Sequence, residues 1–171
     1  MQADNLQNLC AETREKLKSA ISIMETFLNE HALPYLAAEQ DEETILFYKG
    51  FLSDLRHLLT FSEVSFEKLG VIQRRPNFDQ ESAEKELYRV YHSCVNSFFY
   101  PKNESYSEDG RYAYTGQDAI RFRKKPVRPA RDVIMDITKI YEELRDDLSY
   151  YESDYLTERR MKAERRQTIG S

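Results

Sequence analysis

Residues 45–69, ILFYKGFLSDLRHLLTFSEVSFEKL, decide the fold. Ile45, Tyr48, Leu52, Leu55, Leu59, Ser62, Phe66 and Leu69 recur at alternating intervals of three and four, the stripe of a helix and not the strict alternation of a strand. Leu46, Phe51, Leu58 and Ser65 widen it on one flank. So broad an apolar face suits a helix that touches two neighbours. Asp41 fits an N-cap and Gly70 a residue just past the C-terminus, so the helix is expected over 42–69.

Outward from this helix the same grammar repeats. Upstream, Leu6, Cys10, Thr13, Leu17, Ala20, Met24 and Phe27 form a helical stripe over 4–31. Asp4 with Gln7 resembles a capping box, and Pro34 stops the helix near His31. Downstream, Ala83, Leu87, Val90, Cys94 and Phe98, flanked by Tyr91 and Val95, predict a helix over 79–99 with Asn77 and Gln80 at its start and Pro101 after its end. Val133, Ile137, Ile140, Leu144, Leu148, Tyr151 and Tyr155 predict a fourth over 130–157, with Pro129 in its first turn. Five Gly and five Pro in 171 residues supply few turns, which disfavours an all-β fold. The fold class is therefore all-α, a four-helix bundle. One domain spans 1–157, and 158–171, where the apolar stripe is lost, form a basic, frayed tail.

One segment departs from this pattern. The link between the third and fourth helices runs about 28 residues, far longer than a bundle turn. Within it RYAYT (111–115) and DAIRFR (118–123) flank Gly116-Gln117, a spacing that permits a small β-hairpin. Ser107-Glu108-Asp109-Gly110 is a second turn signal. In a strand over 118–123, Ile120 and Phe122 face one way and Arg121 and Arg123 the other.

Charge is segregated along the chain. Residues 1–110 carry 11 basic and 19 acidic side chains, 111–131 seven and one, 132–157 two and eight, and 158–171 five and two, around a net −5. A basic patch on an acidic body draws in anionic ligands or docks on its own acidic helices.

Residues 83–123, AEKELYRVYHSCVNSFFYPKNESYSEDGRYAYTGQDAIRF, resemble the YpuI-like family of small proteins from Bacillus and relatives. YYESDY (150–155) and the layout of the first two helices fit the same family. The family is uncharacterised, so the resemblance implies a bacterial cytosolic setting and no activity, cofactor or site residues.

The residues themselves support several chemistries unequally. His31, His57 and His92 lie on successive helices, but His57 and His92 fall off the apolar stripes and His31 near a helix end. They read as solvated side chains, with Asp54–His57 the single near-match to a Glu-x-x-His pair and no metal site expected. Glu142, Glu143, Asp146 and Asp147, with Glu39, Asp41, Glu42 and Glu43, are the carboxylates a Mg²⁺-dependent nucleotide hydrolase would need. Their positions flank the core stripe and read as a solvated face. Cys10 and Cys94 fall on apolar positions and read as buried thiols without an activator. No Gly-rich phosphate loop or serine elbow is present, and the expectation leans away from catalysis, with no cofactor.

The candidate contact surface is segment 100–128, with Arg111, Tyr112, Tyr114, Arg121, Phe122, Arg123, Lys124 and Lys125 as binding residues. Rings interleaved with cations suit a single-stranded nucleic acid, whereas the Ile120/Phe122 alternation suits a lid docked on the helices. In the lid reading at least two of Arg111, Arg121, Arg123 and Arg128 pair with helix carboxylates. Tyr150, Tyr151 and Tyr155 crowd the end of the fourth helix, and Tyr88, Tyr91, Phe99 and Tyr100 the end of the third; Tyr and Arg are the types enriched in interface hot spots. The favoured function is a non-catalytic binding or regulatory module for a protein or other anionic partner, with a nucleic-acid binder or the hydrolase as alternatives. The N-terminus lacks an apolar signal-peptide core and no apolar run reaches membrane length, so a cytoplasmic protein is expected, without membrane contact.

Overall fold

The computed structural model describes residues 3–38, 41–109 and 119–170. They are mostly helical, with one small two-stranded sheet. Helix α1 (Ala3–Glu30) is followed by the short α2 (Leu33–Leu36), α3 (Glu42–Arg74) and α4 (Gln80–Arg89). Helix α4 runs on through a π-helical turn (Val90–Val95) into α5 (Asn96–Phe99). Strands β1 (Tyr106–Glu108) and β2 (Ile120–Phe122) precede α6 (Arg128–Asp147), a 3-10 turn (Ser149–Tyr151) and α7 (Asp154–Ile169).

The apolar stripes are the core. All seven positions on α1 are buried, as are Ala83, Leu87, Val90, Tyr91, Cys94, Val95 and Phe98. On α3 the buried face is turned slightly from the expected one. Phe47, Phe51 and Leu58 lie inside, while Ile45, Leu59 and Phe66 are half-buried. Of the flank read as an extension of the stripe, Phe51, Leu58 and Ser65 are thus inside while Leu46 is exposed, because α3 packs on α1 and on α4 at once. Helix α6 adds Ile134 and Tyr141, and Ile140 is only half-buried.

Helix ends follow local chemistry more closely than the periodicity suggested. Asp41 caps α3 as expected, accepting from the Thr44 amide (2.8 Å) and hydroxyl (2.7 Å). The far end passes Gly70 and stops at Arg74, because Arg75 precedes Pro76 and is held extended (φ −66°, ψ 139°). Gly70 instead lies inside the helix, where a Cβ would stand 3.1 Å from Arg14 Nε. Asp79, not Asn77, caps α4, since it stands immediately before the helix and reaches the Glu81 and Ser82 amides at 3.1 and 3.4 Å. Asp4 falls within the first turn of α1 and not at a cap. Pro34 both ends α1 and opens α2, where its missing N–H costs nothing.

Neighbouring helices run in opposite directions. Lys16 on α1 meets Asp147 at the end of α6, whereas Phe27 and His31 share a surface hollow with Pro129 and Val133 at its start. On the other side Phe98 stacks on Tyr141 at 5.0 Å, and His92 reaches the Tyr151 carbonyl at 2.9 Å. Tyr88, Tyr150, Tyr151 and Tyr155 therefore gather at one place, Tyr88–Tyr155 at 5.7 Å, while Phe99 and Tyr100 lie with the crossing. The expected single aromatic cluster on the third helix is split between these two locations.

The fourth expected helix, 130–157, is interrupted. The 3-10 turn after Leu148 keeps Leu148, Tyr151 and Tyr155 all buried while the chain changes course. The tail beyond is helical to Ile169, and every residue from 157 to 170 is exposed. Among the described residues no helix is long and apolar enough to cross a membrane.

Candidate contact site

The crossing between α5 and α6 is positioned by a buried carboxylate. Asp54 on α3 is 6% exposed. Its Oδ1 accepts from the Asn103 amide (2.9 Å) and side-chain amide (2.8 Å), and its Oδ2 from the Ser105 hydroxyl (2.8 Å). A turn closes over it, the Glu104 amide donating to the Pro101 carbonyl at 3.0 Å. Glu104 then adopts φ 50°, a left-handed conformation unusual for a residue with a side chain. The chain leaves this turn directly into β1.

Strands β1 and β2 pair antiparallel, Tyr106 opposite Phe122 and Glu108 opposite Ile120. The bond from the Arg123 amide to the Ser105 carbonyl (3.0 Å) extends the ladder to the anchored turn. Strand β2 falls inside the expected 118–123. Its partner is 106–108, so the turn signal at 107–110 is in part strand, and 111–115 lie outside the described residues. Tyr106 is drawn into pairing because its ring buries against Phe98 (5.5 Å) and Phe122 (6.1 Å). Burial, with Asp54 nearby, holds its hydroxyl well above the usual tyrosine range.

The hairpin and the chain after it are fastened to the helices at further points. Ile120 is buried and Phe122 half-buried, as the alternation required, and Arg121 is exposed. Arg145 of α6 grips Glu108 with both guanidinium nitrogens (3.0 and 3.3 Å) and lies 3.9 Å over the Phe99 ring. Burial opposes its charge, but the Glu108 bonds outweigh that and its pKa rises. Lys124 donates to the Thr44 hydroxyl (2.6 Å) beside Asp41 (3.8 Å), and the Val127 amide to the Tyr48 hydroxyl (2.8 Å).

The expected Arg–carboxylate pins are met in part among the described residues, and Arg111 lies outside them. Arg128 stands 3.7 Å from Asp132 of its own helix. Arg123 donates to the Asn103 carbonyl (3.2 Å). The firmest pair has the opposite polarity, a hairpin Glu held by a helix Arg, because Glu108 stands at the non-solvent side of the ladder while Arg121 and Arg123 alternate outward.

Beside the hairpin lies a cleft of about 730 Å³, lined by residues 99–102, Glu104, Tyr106, Ser107 and residues 121–123. Of the expected binding residues, Arg121, Phe122 and Arg123 line it. Lys124 turns toward α3, Lys125 is exposed outside the lining, and Arg111, Tyr112 and Tyr114 lie outside the described residues. The structure adds Tyr100, 79% exposed, and Lys102. Both sit on the turn that Asp54 anchors; their signal was the Tyr-Pro-Lys step that ends the helix. A smaller hollow of about 250 Å³, lined by Asp54, His57, Phe61 and Ser97, shares Tyr100, Pro101 and Lys102 with it.

The histidines are more engaged than expected. His31 bonds the Phe27 carbonyl (3.0 Å) and stacks on the Phe27 ring, and His92 is half-buried, its Nε2 donating to Tyr151. His92 occupies the π-helical turn, which admits one extra residue and so brings an off-stripe side chain toward the interior. His57 is exposed, at the edge of the smaller hollow. Asp41 joins Lys124 near the start of α6, while Glu143 and Asp147 near its end pair with Lys16, and Glu39 lies outside the described residues. Among the described residues no three His, Cys, Asp or Glu side chains gather as metal ligands would. Cys10 and Cys94 are free and buried. Burial pushes their thiols up to about 11 and about 12.

A mostly helical chain with this crossing matches a family model described as "Protein of unknown function (DUF3907)" over residues 10–157, and the chain belongs to that family. A relative, "Uncharacterized protein YpuI" of Bacillus subtilis (strain 168), is 31% identical over 146 residues, 83% of this chain and 79% of that protein. The YpuI-like resemblance read from the residues is thereby borne out. No solved structure matches the chain.

Proposed function

We propose that the protein is a non-catalytic binding or regulatory module: a cytoplasmic four-helix bundle, one domain over 1–157, that holds segment 100–128 as its contact surface. The observation that carries this reading is the cleft beside the hairpin, where Arg121, Phe122 and Arg123 meet Tyr100 and Lys102. Exposed Tyr and Arg on a braced scaffold are the side chains that anchor partners with little loss of entropy. The bracing by Asp54 and Arg145 supports the same reading, since a spacer would not need it.

Photo-crosslinking in the native cells tests it. A benzophenone side chain in place of Tyr100 should give a discrete adduct. The same group at Val71, exposed near the far end of α3, should give none. Adducts from neither position, or equally from both, overturn the assignment of this surface.

A further inference from the structure

We infer that the cleft takes an acidic segment of a partner protein, an aromatic side chain of the segment resting on Tyr100 and its carboxylates meeting Lys102 and Arg123. The inference rests on the binding-module reading and names its ligand.

Charge complementarity supplies the first argument. Three exposed cations line the cleft against one carboxylate, Glu104. Among the described residues, neither Lys102 nor Arg123 pairs with a carboxylate. Arg123 spends one nitrogen on the Asn103 carbonyl, which orients the guanidinium and leaves most of its donor fork open. A planar fork of this kind binds a carboxylate through two parallel bonds.

The rings decide between a peptide and a nucleic acid. Single-stranded nucleic acids need successive open ring faces and a continuous basic track. Here Phe99 and Tyr106 are buried and Phe122 is half-buried, so among the described residues that line the cleft Tyr100 alone offers an open face. Glu104 interrupts the cations, and the whole chain carries −5. A polyphosphate backbone would meet that net charge along its length, and a short segment with two or three carboxylates would not. One aromatic anchor ringed by a few charges is the economy of a peptide site.

Selection of phage-displayed random peptides of about twelve residues on the full chain tests this. The selected sequences are then synthesised with a fluorophore and titrated by anisotropy. Enriched sequences should carry at least two Asp or Glu and an aromatic residue. K102E with R123E should weaken them by about tenfold or more, and K18E on the remote face of α1 should not. All these side chains are exposed, so unchanged thermal unfolding is expected of the variants. Enriched peptides that lose binding in Y100A but carry no acidic bias would sink the acidic-ligand inference and leave the binding-module reading standing. Peptides indifferent to Y100A and to both reversals would sink the two together. An oligo-dT of about twelve nucleotides that binds more tightly than the best peptide, and is lost when Lys102 and Arg123 are both reversed, would replace the peptide with a nucleic acid.

Discussion

A carboxylate buried alone on α3 would be strongly destabilising. Asp54 is tolerated because three donors from the crossing converge on it. Asp54→Ala is expected to cost about 2–4 kcal/mol in urea unfolding, since it strands the Asn103 and Ser105 donors. Asp54→Asn, which keeps an acceptor of the same shape, should cost about half as much. Equal and small effects of both changes would show that the turn is held elsewhere. The two thiols make a second prediction at this scale. Cys94 lies within 3.8 Å of the Ser65 hydroxyl in a core where Ser62 also bonds Tyr141 (2.7 Å). Burial raises both thiols from the ordinary 9.0, to about 11 and about 12. Below pH 9 the proton is held in folded and unfolded chain alike. Above it the unfolded chain ionises first, so the thiol contribution to stability is lost as pH rises through the folded values. At pH 8 iodoacetamide should label the native thiols at least about a hundredfold more slowly than the denatured ones. Fast labelling of either would contradict its burial.

At the level of elements, the hairpin is a small sheet that could not stand alone, because two strands bury too little surface in water. Its stability is borrowed through Ile120, Tyr106 and the Glu108–Arg145 pair, whose side chains are only 18% and 32% exposed. A double-mutant cycle on Glu108→Gln and Arg145→Met should give a coupling of about 1–2 kcal/mol by urea unfolding. A coupling near zero would place the pair with ordinary surface ion pairs. The period-two pattern at 120–123 was legible in the sequence because alternation is a local property. Its partner 106–108 was not, because that pairing depends on Tyr106 burying against Phe98, a contact across the fold. The break after Leu148 was illegible for a related reason. The apolar spacing continues unbroken through Tyr151 and Tyr155, and no Gly or Pro marks the turn. The freed Tyr151 carbonyl is satisfied by His92, from another helix.

For the whole molecule, α7 beyond Leu156 contributes exposed surface and little else. Its ties to the body include the Glu158 carboxylate accepting from the Tyr150 hydroxyl (2.6 Å) and Arg159, which donates to the Tyr155 hydroxyl (3.3 Å) and stands 4.0 Å from Glu81. Ending the chain after Leu156 should therefore change unfolding stability by no more than about 1 kcal/mol. A larger loss, measured by urea or heat, would mean that α7 supports the core.

The helices were determined by the sequence itself, because burial on a helix is periodic and each stripe of apolar residues carries its own period. Leu17, Leu52, Leu87 and Leu144 could be placed inside from spacing alone. The cations and rings of the crossing were equally visible as a composition. Which of them share a cleft was decided only by tertiary structure. Arg121 and Arg123 reach Tyr100 and Lys102 because Asp54, lying about fifty positions earlier in the chain, holds the turn that carries them. Lys124, one position further on, is lost to the cleft because Thr44 and Asp41 draw it to α3. Such choices depend on hydrogen bonds between residues distant in sequence, and no local periodicity encodes them.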